Sequence, residues 1–294
     1  MTKADKILVM EFFNPELLRG KTTLITGGGT GLGRAMALRF AALGARVALV
    51  GRRPEPLEKT AAEIKNAGGL AAAIPCDVRD AAQVEAAFTR AESELGLVNQ
   101  LINGAAGNFL SPSEDLSPNA FDSVVRIVLH GSFHCTRELG RRLIARGAKG
   151  EVLSIVTTYA SANSGSAFVL PSACAKAGVL ALTRSLAVEW AAHGIRLNAI
   201  APGPFPTDGA FSRLMPKHIE KMALARVPAG RFGNPEELAN LAAFMMSDAA
   251  PYQTGDCVTL DGGEELFSGQ QFAGLLHLPR AEAKALMAAL KPAK

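Results

Sequence analysis

The sequence predicts an α/β fold in which one doubly wound parallel sheet of seven strands carries helices on both faces. Short apolar segments alternate with helical segments along most of the chain, and short loops join them. A glycine-rich loop follows the first predicted strand, and no linker, internal repeat or low-complexity segment divides the 294 residues. We therefore expect a single nucleotide-binding domain over residues 1–294, with a lid insertion at about 206–233 and a C-terminal helical tail at about 264–294.

The composition is that of a soluble globular protein, with 48% hydrophobic and 20% charged residues. The net charge of +4 and the absence of a basic run argue against a nucleic-acid partner. The four cysteines are far apart and form no CxxC pair, so we expect reduced thiols in a cytoplasmic protein and no metal site. No apolar run is long enough to span a membrane, and the N-terminal residues resemble neither a secretory signal nor a transit peptide.

The first predicted strand, at residues 21–25, runs into a loop with the sequence TGGGTGLG and then into a helix at 32–43. In this context glycines let backbone N–H groups approach the phosphates of a nucleotide, and the helix N-terminus adds positive potential. The glycines fall as G-x-x-x-G-x-G, which departs from the strict G-x-G-x-x-G pattern. We expect pyrophosphate contacts along this loop, from Gly27, Thr30, Gly31, Leu32 and Gly33.

The second predicted strand, at 46–50, ends in Gly51 and two arginines, Arg52 and Arg53. A fold of this kind that prefers NAD usually carries an acidic side chain here, which binds the ribose 2′-hydroxyl. Two guanidinium groups match a 2′-phosphate instead, so the sequence favours NADP(H) as the cofactor. The alternative is a solvated basic turn that binds no ligand.

Polar side chains also follow the third and fourth predicted strands. Asp77 is placed to accept a hydrogen bond from an adenine amino group, whereas Asp80 is expected to cap the next helix. The small residues after the fourth strand, including Ala105, permit the close approach of a flat ligand. Asn108 lies beyond the carboxyl end of the same strand, the edge at which open α/β sheets bind ligands.

The remaining strands are predicted at 70–75, 98–102, 150–156, 195–200 and 257–260. A long helix is expected over 117–146, and another over 172–193. Tyr159, one of two tyrosines, lies between the fifth strand and the second of these helices, and Lys176 lies on that helix, four residues after Ser172. A tyrosine hydroxyl near a lysine ammonium can stabilise a developing oxyanion. The alternative is a half-buried tyrosine and a solvated lysine without catalytic roles.

The chain resembles the short-chain dehydrogenase/reductase family over nearly its full length. The motifs that carry this resemblance are TGGGTGLG, CDV, NGAAG, RLNAIAPG with its continuation PGPFPT, and DGG after the last strand. The resemblance implies a Rossmann fold, a nicotinamide cofactor and a dimer or tetramer. It extends the expected cofactor contacts beyond the glycine loop and the arginines, to Asp77, Val78, Ala105, Lys176, Pro202, Gly203, Phe205 and Thr207.

Two hallmarks of this family are altered. The family carries a tyrosine four residues before the lysine and an asparagine in the long middle helix, whereas this chain has Ser172 and His130 at these places. A serine hydroxyl is too weak an acid to replace the tyrosine, so simple ketone or alcohol chemistry loses its usual proton donor. His130 is expected either to bind a water molecule beside the lysine or to be packed in the core.

Within the family, the chain resembles the NADPH-dependent 2,4-dienoyl-CoA reductases of the mitochondrial and peroxisomal type. This resemblance rests on AAGNFLSPSEDLSPNAF, TTYA, PSACAKAG, PGPFPTDGAFSRL and GRFGNPEELANLAAFMMSD. It implies that Tyr159 and Asn108 bind the substrate carbonyl, that Ser172 assists them and that Lys176 holds the nicotinamide ribose. The loop at 160–170 is longer than the one typical of this subgroup.

The implied reaction is the NADPH-dependent reduction of a 2,4-dienoyl-CoA to a 3-enoyl-CoA, an auxiliary step in the oxidation of unsaturated fatty acids. The resemblance assigns the phosphates of coenzyme A to Arg79 and Arg213, with Arg52, Phe109 and Ser117 alongside. Two alternatives stay open: a 2-enoyl-CoA or 3-oxoacyl reductase of the same family, and a catalytically silent NADP-binding module. The expected partners are an acyl-CoA thioester and further copies of the chain in a homotetramer.

Overall fold

The structure of the protein is a computed structural model that describes residues 13–160, 165–207, 217–267 and 278–289. The strands are β1 (Thr22–Thr26), β2 (Arg46–Gly51), β3 (Leu70–Pro75), β4 (Gln100–Asn103), β5 (Gly150–Ile155), β6 (Ile195–Pro202) and β7 (Cys257–Leu260). They form a seven-stranded sheet in the order β3-β2-β1-β4-β5-β6-β7, and every neighbouring pair is parallel. The strand order reverses between β1 and β4, so the predicted doubly wound fold is confirmed.

The helices are α1 (Gly31–Ala42), α2 (Pro54–Asn66), α3 (Ala81–Leu95), α4 (Pro118–Val125), α5 (Gly131–Arg146), α6 (Leu170–Trp190), α7 (Lys217–Ala225), α8 (Pro235–Met245), α9 (Glu264–Phe267) and α10 (Arg280–Ala289). Side chains of α1, α2 and α8 build a hydrophobic core on one face of the sheet. Side chains of α3, α5 and α6 build a second core on the other face. The predicted two helical layers are therefore present.

The strands are apolar throughout because both faces of the sheet are covered. In β1, Ile25 packs in the core that contains Phe40 of α1, whereas its neighbour Leu24 packs in the core that contains Phe88 of α3. This alternation follows from the two-residue period of a strand. Because all the strands are parallel, their carboxyl ends lie at one edge of the sheet, where polar residues follow them.

The predicted helix over 117–146 is observed as α4 and α5, which are joined without a break by a π-helical turn at Arg126–His130. Ser117 caps this helical segment, because its Oγ accepts the backbone N–H of Ala120 at 3.2 Å. Asp80 caps α3 as predicted, since its Oδ1 accepts the N–H of Ala82 at 2.9 Å. A π-turn adds one residue to a helix, a feature that apolar periodicity does not reveal.

Two strand ends differ from the prediction by two residues, and the other strand ends agree within one residue. β4 begins at Gln100 rather than at residue 98, and just before it the side-chain oxygen of Asn99 accepts the backbone N–H of Thr22 at 2.9 Å. β6 continues to Pro202, where it still pairs with Leu260 of β7.

Parts of the predicted lid and tail lie outside the described residues, at 208–216, 268–277 and 290–294. The described part of the lid contains α7, and the described part of the tail contains α9 and α10. Within the ranges that the structure covers, no helix has the length and apolar character needed to cross a membrane. In the same ranges, no group of three or more His, Cys, Asp or Glu side chains is placed to hold a metal ion.

Candidate active site

The carboxyl ends of the first four strands border an open cleft at the place where the strand order reverses. Ligands of doubly wound sheets bind at this edge. Predicted cofactor residues line the cleft: Gly27, Thr30, Arg52, Arg53, Asp77, Val78 and Ala105. Further lining residues, which the sequence reasoning did not single out, are Gly29, Gly51, Pro56, Leu57, Cys76, Ala106 and Ile127. The cleft is therefore the candidate cofactor site.

The loop between β1 and α1 fits the pyrophosphate of a dinucleotide. Gly27 has a φ of 71°, a value that favours glycine. A Cβ atom added at Gly33 would lie 2.2 Å from the carbonyl oxygen of Gly27, so a side chain there would separate α1 from the loop. The N-cap residue Thr30 makes no side-chain capping bond, which leaves the first N–H groups of α1 for a ligand.

The segment after β6 reaches the glycine loop from the other side. A Cβ atom added at Gly31 would lie 3.5 Å from the Cβ of Thr207, so these two residues are in contact distance. Gly203 packs against Asp261 just beyond the end of β7, and Pro202 is the last residue of β6. This arrangement brings the predicted nicotinamide-side residues next to the predicted pyrophosphate loop.

Two predicted cofactor residues pack their side chains wholly or partly against the core. The ring of Phe205 is 8% exposed and lies against Gly233, where an added Cβ would meet the ring Cε1 at 2.3 Å. Leu32, near the start of α1, is half-buried and packs partly against the same core. Any contact of Phe205 with the cofactor is therefore made by its backbone, whereas the side chain of Leu32 stays partly accessible.

Asp77 and Arg79 form an ion pair at the end of β3. The Arg79 Nη2 lies 2.5 Å from Oδ2 of Asp77, and the backbone N–H of Arg79 donates to Oδ1 at 3.0 Å. These hydrogen bonds lower the pKa of Asp77, so its carboxylate stays ionised as an acceptor in the cleft. Arg79 was expected to bind coenzyme A phosphates, and its guanidinium is here engaged by Asp77 while remaining 41% exposed.

His134 of α5 fixes the next residue of the same loop. Its Nδ1 lies 3.0 Å from the carbonyl oxygen of Val78, which only an N–H can satisfy, so Nδ1 carries a proton. Gly131 packs directly under Val78, because an added Cβ there would lie 2.6 Å from Val78 Cγ2. No sequence signal points to His134, since its contact depends on how α5 lies against the loop.

The structure contradicts one of the two expectations for His130. Its side chain is exposed, and its ring lies 6.4 Å from the ring of His134, on the side of the helix that faces Val78. The expectation of a packed core histidine is therefore wrong. The residue before it, Leu129, lies close to Gly178 of α6 instead. An apolar side chain of the π-turn therefore packs against the helix that carries Lys176.

Tyr159, Ser172 and Lys176 come together beyond the end of β5. Tyr159 lies on a short 3₁₀ turn at Thr158–Ala160, and its hydroxyl lies 3.2 Å from the Oγ of Ser172. Lys176 is one helical turn further along α6, where its ammonium donates to the carbonyl oxygen of Ile155. Burial of this side chain lowers the pKa of Lys176 to about 8. The tyrosine hydroxyl thus comes from the loop after β5, and Ser172 occupies the position on α6 one turn before Lys176.

Asn108 is half-buried on the loop that follows β4. Its Oδ1 accepts the backbone N–H of Phe109 at 2.9 Å, which makes the NH₂ end of the amide the group that can donate to a ligand. Phe109 is partly buried against an apolar cluster that includes Val128 and Ala175. Of the other expected substrate contacts, Ser117 uses its hydroxyl as a helix cap, and Arg213 lies outside the described residues.

The chain is similar in sequence to known oxidoreductases. A family model described as Enoyl-(Acyl carrier protein) reductase matches residues 27–265. An uncharacterized oxidoreductase of Caenorhabditis elegans is 51% identical over 90% of this chain and 85% of that protein. A probable (3E)-enoyl-CoA-producing 2,4-dienoyl-CoA reductase of the same organism is 45% identical over 88% of this chain and 85% of its own length. A probable (2E)-enoyl-CoA-producing 2,4-dienoyl-CoA reductase of Bacillus subtilis is 46% identical over 84% of this chain and 97% of its own length.

Solved structures show the same architecture. A short chain dehydrogenase from Bacillus anthracis is 43% identical, with a TM-score of 0.77 over 85% of this chain and 98% of the other. A putative 2-deoxy-D-gluconate 3-dehydrogenase from Agrobacterium tumefaciens, solved with bound NADP, is 36% identical, with a TM-score of 0.78 over 86% and 99%. With its glycine loop, its cleft at the reversal of strand order and these relatives, the chain belongs to the short-chain dehydrogenase/reductase family of NAD(P)-dependent oxidoreductases.

Proposed function

We propose that the protein reduces 2,4-dienoyl-CoA thioesters to 3-enoyl-CoA with NADPH. One observation carries the proposal: the tyrosine hydroxyl comes from the loop after β5 and meets Ser172 on α6, at 3.2 Å. A tyrosine in this place is suited to donate a hydrogen bond to a carbonyl oxygen without losing its proton. That is what reduction of a conjugated thioester requires, whereas reduction of a ketone requires full proton transfer.

The chemistry assigned to the chain is stabilisation of an enolate. Tyr159 O–H and Asn108 N–H donate to the thioester oxygen and withdraw electron density from the conjugated diene. NADPH, when bound, supplies the hydride that adds to the far end of the diene. The negative charge that then develops on the thioester oxygen is held by the two neutral donors. Protonation of the α-carbon by water gives the 3-enoyl product and balances the reaction.

Lys176 and Ser172 support these donors in the proposal. Ser172 shares a hydrogen bond with the Tyr159 hydroxyl, which orients it. Lys176 is buried beside the end of β5, so its positive charge acts in a poorly solvated environment and favours nearby oxyanions. We assign it to the nicotinamide ribose, because its ammonium lies on the sheet edge that carries the cofactor cleft.

The preference for NADPH rests on the two arginines after β2. Arg52 and Arg53 are both exposed and both line the cleft, and Gly51 before them offers no carboxylate for a ribose 2′-hydroxyl. A guanidinium pair is suited to a 2′-phosphate. The phosphates of coenzyme A are assigned to Arg79 and Arg213, with Arg52, Phe109 and Ser117 nearby.

The assembly proposed for the protein is a cytoplasmic homotetramer in which each chain is one domain. Its support is the exposure of apolar side chains on α5 and α6: Val188 of α6 is 83% exposed and Phe133 of α5 is 46% exposed, and Ala177 and Ala181 of α6 are exposed as well. A second copy of the chain would bury such a surface. A monomeric mass in light scattering would contradict this part of the proposal.

The test is to incubate the protein and NADPH with a panel of dienoyl-, 2-enoyl- and 3-oxoacyl-CoA esters. We expect the dienoyl esters to be reduced with the highest kcat/KM, and the product to carry its double bond at carbon 3. A 2-enoyl product would instead match the naming of the Bacillus subtilis relative. A clear preference for 3-oxoacyl esters would overturn the proposal, and the absence of any turnover would favour a silent NADP-binding module.

A further inference from the structure

Among the described residues, Phe168 is the one non-glycine residue with a left-handed backbone, with a φ of 66°. A bulky side chain rarely adopts this conformation, so surrounding contacts must hold it. The ring does not supply them, because Phe168 is 59% exposed. The next residue, Val169, is 6% exposed and anchors the backbone in the protein. The unusual φ is therefore stabilised by backbone contacts rather than by packing of the phenyl ring.

The backbone of Phe168 connects two loops of the active site. Its carbonyl oxygen accepts the N–H of Ser111 at 3.0 Å. Ser111 follows Asn108 by three residues on the loop after β4. Phe168 precedes Ser172 by four residues, and Ser172 Oγ lies 3.2 Å from the Tyr159 hydroxyl. One backbone hydrogen bond thus joins the segment that carries Asn108 to the segment that leads to Ser172 and Tyr159.

We propose that Phe168 is a positioning residue whose left-handed backbone fixes the separation between Asn108 and Tyr159. The inference rests on the proposed function in one respect, because it matters for rate only if both side chains bind the same oxygen. The two donors lie on loops and not on strands, so sheet pairing alone does not set their separation. The Ser111–Phe168 bond sets it instead, and the strained φ turns the carbonyl of Phe168 towards Ser111.

Substitutions at Phe168 separate the conformation from the ring. Gly and Asn accept a left-handed backbone, whereas a β-branched residue strongly resists it. Phe168→Gly and Phe168→Asn should therefore keep kcat within about twofold of the wild type, although both lose the ring. Phe168→Val should lower kcat by about tenfold or more while the KM for NADPH stays unchanged, because misplacement of one donor acts on the chemical step.

Leu110→Val is the matched control. Leu110 is 52% exposed on the Asn108 loop, and it has no positive φ, so the same type of side chain should be tolerated there. Thermal unfolding of each variant shows whether it is folded. Equal losses in the Gly, Asn and Val variants would show that the ring matters and overturn the inference, and so would a Val variant with wild-type kcat.

A second measurement does not depend on the substrate. Hydrogen exchange of the Ser111 amide should accelerate about tenfold or more in Phe168→Val and remain near the wild-type rate in Phe168→Gly, because breaking its hydrogen bond exposes that N–H. Unchanged exchange in Phe168→Val would overturn the inference even if its kcat falls. If the wild type reduces no dienoyl-CoA, the proposed function fails, and the exchange result still decides whether the Ser111–Phe168 bond depends on the left-handed conformation.

Discussion

The cofactor cleft and the group around Tyr159 are held in place by different kinds of structure. On the cofactor side, Gly27, Asp77 and Ala105 follow strand ends within one or two residues, so the pairing of the sheet fixes their positions. On the substrate side, Asn108 and Tyr159 lie further from the strands, on loops joined by single hydrogen bonds. The difference implies that cofactor binding tolerates changes in the loops, whereas turnover does not.

The largest expected effect is on kcat, and it distinguishes the group around Tyr159 from the cofactor cleft. Tyr159→Phe should lower kcat for a dienoyl-CoA by about 10²–10³-fold, because it removes one donor to the developing oxyanion. The Kd for NADPH should remain within about twofold, since the hydroxyl is not part of the cofactor cleft. Tyr252→Phe is the control, because Tyr252 is fully exposed in this chain. A similar loss in both variants would contradict the role of Tyr159.

The next effect tests the cofactor side alone. Replacing Arg52 and Arg53 by alanine should raise the KM for NADPH by at least about tenfold, because the 2′-phosphate would lose the charged hydrogen bonds that the two guanidinium groups donate. The KM for NADH should change little. Lys59→Ala, an exposed cation on α2, controls for a general change of charge. Equal effects on both cofactors would show that the arginines do not recognise the phosphate.

Lys176 lies between the two sides and should make stability depend on pH. Its pKa is about 8 in the folded protein against 10.5 for an unperturbed lysine. Between these values the unfolded chain holds a proton that the folded protein has released, so the free energy of unfolding rises with pH across this window. Below pH 8 the cost of burying the charge is fully present. Relative to Lys176→Met, the wild type should gain about 2 kcal/mol from pH 7 to pH 10 in urea unfolding.

An identical pH response of the two proteins in that experiment would show that Lys176 is not buried as a charged group. The comparison with Lys176→Met is needed because other ionisable groups of the protein also contribute to its response to pH. Their contribution is common to both proteins and cancels in the difference.

The smallest expected effect concerns the hydrogen bond from His134 of α5 to the adenine-side loop. His134→Leu should raise the Kd for NADPH by about fivefold with kcat unchanged, because the carbonyl of Val78 would lose its hydrogen bond. His134→Asn keeps an N–H near the position of Nδ1 and should restore most of the affinity. His130→Leu, at an exposed position one turn earlier, is the control. Wild-type affinity in His134→Leu would show that sheet pairing alone holds the loop.

The sequence predicts the two sides unequally well. The glycine loop, Asp77 and Ala105 are found from the pattern of strand, loop and helix, because that pattern places them directly at the sheet edge. Tyr159 and Asn108 are each picked out by their place after a strand, but only the family resemblance assigns both to one substrate carbonyl, since nothing in local spacing shows that distant loops meet. Neither the strand–loop–helix pattern nor the resemblance points to His134 or Phe168, because their roles depend on a hydrogen bond to the backbone of another segment. The exposure of His130 has a related origin, because the side of a helix that a residue occupies shifts when a π-turn interrupts the periodicity.

That π-turn at Arg126–His130 has a consequence for the permitted length of the chain. Its extra residue could be deleted to leave a regular α-helix, which is locally the more favourable backbone. Such a deletion would rotate α4 by about 100° relative to α5. It would turn Val124 out of its apolar cluster and shift Ile127 at the wall of the cleft. A one-residue deletion is usually best tolerated in loops, but within this helix it should disturb the cofactor site while leaving helix content almost unchanged in circular dichroism.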